Sequence, residues 1–160
     1  MITAELIRRY PIFSVLDLAQ LDEIVEIAED LTFEEGEVIF RENEPAQALY
    51  ILLRGSIDLF FMVEVEYRPE LRKELYFDVI KPGDVFGISA LIPPYILTST
   101  ARVSRPSRVI KIDAAPLLEL CDQDNELAYQ LMQQVAKAAI ERINLTRLQL
   151  ASALTQERAP

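Results

Sequence analysis

Histidine and tryptophan are both missing from this chain of 160 residues, and cysteine and glycine are scarce, with one and four copies. The lack of histidine removes the commonest general base, the commonest metal ligand and every Ser–His or Cys–His nucleophile pair. No paired-carboxylate or lysine motif stands out in its place. We therefore expect a protein that is not an enzyme and that has no metal site and no cofactor.

Positive charge is also in short supply, because 16 basic residues face 26 acidic ones and the net charge is −10. A field of this sign repels phosphate backbones, so generic nucleic-acid binding is not expected. Long apolar runs are lacking too: none approaches the ~20 residues that cross a bilayer, and the N-terminal stretch MITAELIRRYPIF has no signal-peptide core. These absences favour a cytoplasmic protein with no membrane partner.

The lone cysteine, Cys121, cannot form an internal disulfide, which fits a reducing compartment. It lies in the apolar helical segment PLLELC. A small buried side chain is therefore the expected role, and a reactive thiol is the alternative.

The spacing of hydrophobic residues changes twice along the chain, from helical to strand-like and back to helical. Residues 1–30 form an N-terminal helical segment, broken once by a proline. Residues 31–114 contain eight short segments rich in β-branched and aromatic residues, separated by turn signals such as Gly55 and Arg105–Pro106. Residues 115–160 are helical again. The pattern predicts a mainly β fold with flanking helices, built on an eight-stranded jelly-roll (double-stranded β-helix) barrel rather than a parallel sheet.

The last helix is predicted to run from about residue 125 to 154, a stretch with no glycine and no proline, with Asp124 or Asn125 as its cap. At 100° per residue its apolar side chains cover one broad half of the surface. A small barrel cannot cover so long a helix. We expect part of its apolar face to pack on the barrel and the rest to meet a second copy, forming a homodimer; the alternative is a monomer whose helix lies flat.

Three segments carry a family resemblance: IFSVLDLAQLDEIVEIAED (Ile12–Asp30), FEEGEVIFRENEPAQALYILLRGSIDLF (Phe33–Phe60) and IKPGDVFGISAL (Ile80–Leu91). With the order of elements, they resemble the cyclic-nucleotide-binding domain, the sensor module of bacterial Crp–Fnr regulators, protein-kinase regulatory subunits and nucleotide-gated channels. The resemblance extends over roughly residues 12–154. The glycines sit where the family turns tightly between strands, and positive φ or crowded backbones favour glycine there. These are Gly36, Gly55, Gly83 and Gly87.

In that family, the loop after PGD-x-FG forms a short helix whose backbone N–H groups face a cyclic phosphate. A glutamate after the FG typically accepts from the ribose hydroxyl, and a later arginine pairs with the phosphate. Here the glutamate position is Ile88, and the arginine position, counted back from Thr98–Thr100, is Leu97. The resemblance thus implies a degenerate phosphate-binding cassette. Its residues are Phe86, Gly87, Ile88, Ser89, Ala90, Leu97, Thr98 and Ser99.

The loss of both polar anchors predicts weak or absent binding of cyclic AMP and cyclic GMP. Removing one member of a buried charge pair costs about 2–5 kcal/mol, and losing a hydrogen-bond acceptor adds about 1–3 kcal/mol. Together they weaken binding roughly 10²- to 10⁵-fold. The hydroxyls of Thr98, Ser99 and Thr100 could serve a different ligand, or they could simply decorate a strand.

Arg142 is the one charged side chain in the apolar half of the long helix. In the family pattern this position faces the pocket mouth or the dimer partner. Arg142 could therefore hold an anion; a snorkelling side chain or a salt bridge across the dimer is the alternative.

The function predicted is a stand-alone sensor or regulatory module, dimeric through its last helix, with a remodelled pocket for an apolar-to-neutral small molecule or for none. A ligand would tilt or order the helix and bias the dimer toward a protein partner. A second interpretation is a structural or interaction scaffold that kept the fold. A cupin-type enzyme lacks its histidine ligands. A helix-turn-helix domain would follow the long helix in Crp–Fnr regulators; here only Thr155–Pro160 follow, an expected frayed end, so direct DNA binding is not expected.

Overall fold

The computed structural model describes residues 1–157, and residues 158–160 of the predicted frayed end lie outside this range. Within it, four α-helices flank an antiparallel sheet of six strands, and a short 3₁₀ turn at Ile88–Leu91 follows the fifth strand. The helices are α1 (Ala4–Arg8), α2 (Leu18–Glu26), α3 (Ala114–Gln123) and α4 (Asn125–Glu157). The strands are β1 (Ala28–Phe33), β2 (Val38–Phe40), β3 (Ala48–Val65), β4 (Arg68–Ile80), β5 (Val85–Phe86) and β6 (Thr100–Asp113).

The described residues thus form six strands where the sequence predicted eight, because two pairs of predicted strands are continuous. Gly55 does not end a strand but lies inside β3, where the register against β6 shifts. Its φ is +107°, and an added Cβ would lie 2.2 Å from Ser107 Oγ on β6. Arg105–Pro106 likewise lies inside β6. The turn-forming residues therefore bend the two long strands without interrupting them.

The sheet is organised around β3 and β6, in the order β1-β6-β3-β4. β6 pairs with β1 through its second half and with β2 through its first half, while β5 adds to the start of β3. All of these pairings are antiparallel. The result is a jelly-roll-like fold in which each of the two longest strands, β3 and β6, pairs with several other strands.

Buried side chains form two clusters. One lies inside the curved sheet and includes Leu59, Phe86 and Leu97; the other lies between the sheet and the helices and includes Leu127 and Leu131 of α4. Burial of this second group attaches the first half of α4 to the domain, at roughly 1.5–3 kcal/mol for each large apolar side chain.

The ends of the helices follow standard capping chemistry. Asp17 accepts from the Gln20 N–H and the Gln20 side chain accepts from the Asp17 N–H, which forms a capping box at the start of α2. Asp124 Oδ1 accepts from the Leu127 N–H at 3.0 Å and so caps α4. The Gln20 amide also donates to Asp124 Oδ2 at 3.0 Å, which ties α2 to the start of the long helix.

The second half of α4 is much less covered than the first. Leu131 is fully buried, whereas Leu148 is 67% exposed. From Ile140 onward the helix exposes a row of further apolar side chains, consisting of Ile140, Ile143, Leu145, Leu150 and Leu154. Across residues 1–157, no helix combines the length and apolar character that a membrane span requires.

Candidate functional site

The predicted cassette begins at a tight exit from β5. Gly87 follows Phe86 with φ of +72°, and an added Cβ would lie 2.9 Å from the Ala48 carbonyl oxygen and 3.1 Å from Tyr50 Cδ2. The 3₁₀ turn Ile88–Leu91 starts directly after it. Glycine is therefore required here both by backbone conformation and by the close approach of β3.

A cavity of about 90 Å³ lies beside this turn, and we call it the cassette cavity. Its walls come from the 3₁₀ turn, the segment before β6, two inward-facing strand residues and α4. The lining residues are Phe40, Leu59, Gly87, Ile88, Ser89, Leu97, Thr98, Ser99 and Arg142.

The structure brings seven of the nine predicted site residues to this cavity, and two lie elsewhere. Phe86 and Ala90 do not line it; both are buried in the core of the sheet, where Phe86 stacks on Tyr50 with ring centroids 5.2 Å apart. Two lining residues, Phe40 and Leu59, were not predicted as site residues. Both lie in strands remote in sequence from the cassette, and the only signal for them is the inward alternation of β2 and β3.

Ile88 and Leu97, which stand at the two positions where the family has polar anchors, also pack against hydrophobic neighbours. Leu97 is only 5% exposed and belongs to the core of the sheet, and Ile88 is half-buried against the helical cluster. The Leu97 backbone is fixed by two hydrogen bonds to the loop before β3: its N–H donates to the Glu44 carbonyl, and its carbonyl accepts from the Asn43 N–H. Leu97 is therefore held in the wall by both its main chain and its side chain.

The hydroxyl groups near the cavity divide into two kinds. Thr98 and Ser99 line the cavity, whereas Thr100 does not. Thr100 Oγ1 instead accepts from the Glu42 N–H at 3.0 Å. Of the three hydroxyls considered from the sequence, the Thr100 group thus serves the structure, and Thr98 and Ser99 are the two residues that line the cavity.

Arg142 reaches the cavity from α4 and is the only charged residue among its described lining residues. Arg142 Nε donates to Asp78 Oδ2 at 3.1 Å, and Nη2 donates to the carbonyl oxygen of Val85. The side chains of Arg142 and Asp78 are only 17% and 13% exposed. The guanidinium is therefore held against the sheet within one chain, where the sequence offered a snorkelling side chain or a salt bridge across the dimer as the alternative to an anion site.

A second, larger cavity of about 170 Å³ is also lined by Arg142, and we call it the interface cavity. It separates α4 from the N-terminal segment and from the turn between β4 and β5. Besides Arg142, its charged lining residues are Asp78, Asp84, Lys137 and Glu141. Arg142 therefore lines both cavities, one with hydrophobic and hydroxyl-bearing neighbours and one with charges of both signs.

Other reactive chemistry is not assembled in the described part of the chain. Residues 1–157 contain no cluster of His, Cys, Asp and Glu side chains suited to a metal ion. Cys121 is buried, and its burial, followed by the nearby Asp122 and Asp124, raises the pKa of its thiol. A raised pKa keeps the thiol protonated and unreactive.

The fold and this turn-and-cavity arrangement place the chain in a known class. Residues 30–124 match the profile of the cyclic nucleotide-binding domain, and the chain belongs to that family. A solved structure from Geobacter metallireducens, described as a cyclic nucleotide-binding protein, is 38% identical, with a TM-score of 0.77 over 89% of this chain and 99% of that one. The family resemblance predicted from the sequence is confirmed.

Two curated relatives are longer proteins. One, from Rhodopseudomonas palustris and described as a potassium channel protein, is 27% identical over 140 residues, which are 88% of this chain and 32% of the relative. The other, a CRP-like cAMP-activated global transcriptional regulator from Mycobacterium tuberculosis, is 24% identical over 133 residues, or 83% and 57% of the two chains. The chain thus spans between about a third and somewhat over half of these relatives' lengths.

Proposed function

We propose that this protein is a regulatory module whose cassette binds neither cyclic AMP nor cyclic GMP tightly, and that it signals through α4. The observation that carries the proposal is the pair of aliphatic side chains, Ile88 and Leu97, in the cavity wall. They stand where family members typically place a ribose-binding glutamate and a phosphate-binding arginine. The module acts in the cytoplasm and is not an enzyme.

Cavity size supports the same conclusion. Pockets for drug-sized ligands typically enclose about 300–1,000 Å³, whereas the cassette cavity encloses about 90 Å³. A cyclic nucleotide would have to displace Leu97, which is packed in the core of the sheet. Both the missing charge and the missing space disfavour the nucleotide.

The exposed second half of α4 supports dimerisation as the output. Within residues 1–157, no other element covers this apolar row. Two thirds of the surface of Leu148 is exposed to solvent. A second copy of the same helix would cover this row symmetrically. Ligand-dependent changes at the cassette would then reach a protein partner through the paired helices, while the net charge of −10 disfavours DNA as the partner.

Calorimetric titration with cyclic AMP and cyclic GMP tests the pocket. We expect dissociation constants of about a millimolar or weaker for both nucleotides. A dissociation constant of about ten micromolar or tighter for either one would contradict the proposal.

The small size of the cavity also favours a second candidate, a scaffold that kept the fold and binds no ligand. The two candidates differ in a thermal-shift screen against nucleotides and small metabolites. A ligand at 100 times its dissociation constant adds about 2.7 kcal/mol to the stability of a sensor. A flat response to every compound would favour the scaffold.

A further inference from the structure

Arg142 brings a positively charged group to a cavity with both hydrophobic and hydroxyl-bearing lining residues. Four of the lining side chains are hydrophobic: Phe40, Leu59, Ile88 and Leu97. No described carboxylate lines the same cavity, and the described counter-ion of the guanidinium, Asp78, is not among its lining residues.

The guanidinium also has bonding capacity left. Its bonds to Asp78 and to the Val85 carbonyl use two N–H groups. A guanidinium carries five N–H donors in a planar fork that matches a carboxylate. Three donors are therefore left over by these two partners, on a side chain that is 17% exposed.

We infer that the cassette cavity binds a small carboxylate with an apolar body, and that its carboxylate pairs with Arg142 in competition with Asp78. This inference rests on the proposed function and names the ligand class of the same site. The hydrophobic lining residues receive the hydrocarbon part of the ligand, and Thr98 and Ser99, which line the same cavity, carry hydroxyls that can donate to it. The volume of about 90 Å³ restricts the ligand to a short-chain or single-ring acid.

Competition at Arg142 couples the ligand to the long helix. Within residues 1–157, the Arg142–Asp78 pair is the only salt bridge that joins α4 to the sheet. A carboxylate that draws the guanidinium into the cassette cavity removes it from Asp78 and from the Val85 carbonyl. The Gln149–Phe77 hydrogen bond is then the described side-chain hydrogen bond that still joins α4 to the sheet. The interface cavity gives this part of α4 room to move. Binding is thus converted into a change at the exposed half of the helix.

Isothermal titration of the intact protein with butyrate and benzoate tests the inference, with benzamide as the neutral isostere of benzoate and inorganic phosphate as a purely polar anion. We expect both carboxylates to bind at least about tenfold more tightly than benzamide and phosphate, as charge-assisted bidentate pairing in an apolar cavity requires. Equal binding of benzoate and benzamide, or no measurable binding of either acid, would overturn it.

Three variants test whether the charge that binds the carboxylate is that of Arg142. Arg142→Gln is expected to weaken benzoate binding about tenfold or more, whereas Arg147→Gln, the same change at an exposed arginine of α4 outside both cavities, leaves it unchanged. Asp78→Asn removes the competitor and is expected to tighten benzoate binding. Unchanged affinity in both Arg142→Gln and Asp78→Asn sinks the inference, and Asp78→Asn decides alone should Arg142→Gln fail to fold.

A cyclic AMP titration run in parallel separates this inference from the proposed function. Weak cyclic AMP binding together with no carboxylate binding would refute only the ligand class. Micromolar cyclic AMP binding would refute the proposed function as well.

Discussion

Arg142 Nε lies 3.1 Å from Asp78 Oδ2 and joins the long helix α4 to strand β4 across 64 positions of sequence. Both side chains are largely buried, so each depends on the other for compensation of its charge. Removing one partner of a buried pair leaves an unpaired charge, at a cost of up to about 3–5 kcal/mol, and residual solvent contact lowers that cost here.

A double-mutant cycle on this pair is therefore expected to be non-additive. Arg142→Ala and Asp78→Ala should each destabilise the protein, and the double variant should be about 1–3 kcal/mol more stable than the sum of the two losses predicts. Urea denaturation of the four proteins measures the coupling. If the losses in the free energy of unfolding were additive, the interaction between Arg142 and Asp78 would contribute nothing to stability.

Leu148→Glu is expected to weaken self-association through α4. A leucine buried in an interface contributes roughly 1.5–3 kcal/mol, and the substitution adds a carboxylate to a chain of net charge −10. The dimer dissociation constant should rise about tenfold or more in sedimentation equilibrium. Leu71→Glu, at a half-exposed position of β4, is the matched control and should leave the constant unchanged. A wild-type protein that stays monomeric at all concentrations would contradict the dimer.

Acid is expected to destabilise the protein partly through Asp124. The hydrogen bond from the Gln20 amide, followed by that from the Leu127 N–H, lowers the pKa of Asp124 below its ordinary value of 3.8. Because the folded-state pKa is depressed, the stabilisation is fully present above pH 3.8 and is lost as the pH falls through the folded-state pKa.

The variant Asp124→Asn removes the titration and keeps an N-cap oxygen. It also replaces the oxygen that accepts from the Gln20 amide, so the comparison rests on the pH dependence of stability and not on its absolute value. Urea denaturation at a series of pH values from 7 to about 3 should show a shallower loss of stability in acid for Asp124→Asn than for the wild type. Parallel curves would mean that Asp124 has the same pKa in the folded and unfolded chain. Asp30, whose pKa is lowered first by its hydrogen bond from Arg108, contributes to both curves alike.

Local sequence signals identified the elements well but misplaced some of their ends. Helical spacing and Asp124 located the start of α4, because a cap and an apolar face are encoded within a few adjacent residues. Gly55 and Arg105–Pro106 were interpreted as turns, since local propensity cannot register that a neighbouring strand holds the chain extended through them.

The site divides in the same way. Ile88 and Leu97 were found because a contiguous motif fixes their positions, and the structure places both in one cavity wall. Phe40, Leu59 and the role of Asp78 were missed. Each depends on a contact between residues far apart in the sequence, and a single sequence contains no record of such contacts.

The length of α4 beyond Arg142, attached to the sheet there by the Gln149–Phe77 hydrogen bond, amplifies a tilt of the helix. From Arg142 to Glu157 the helix extends about 22 Å, so a tilt of about 5° at the attachment point moves the far end by about 2 Å. If the Arg142 guanidinium exchanged one partner for another, the resulting movement of α4 would therefore be largest at the end of the helix, farthest from the barrel. In two helices lying side by side, the same rotation in each copy would double the change in their separation.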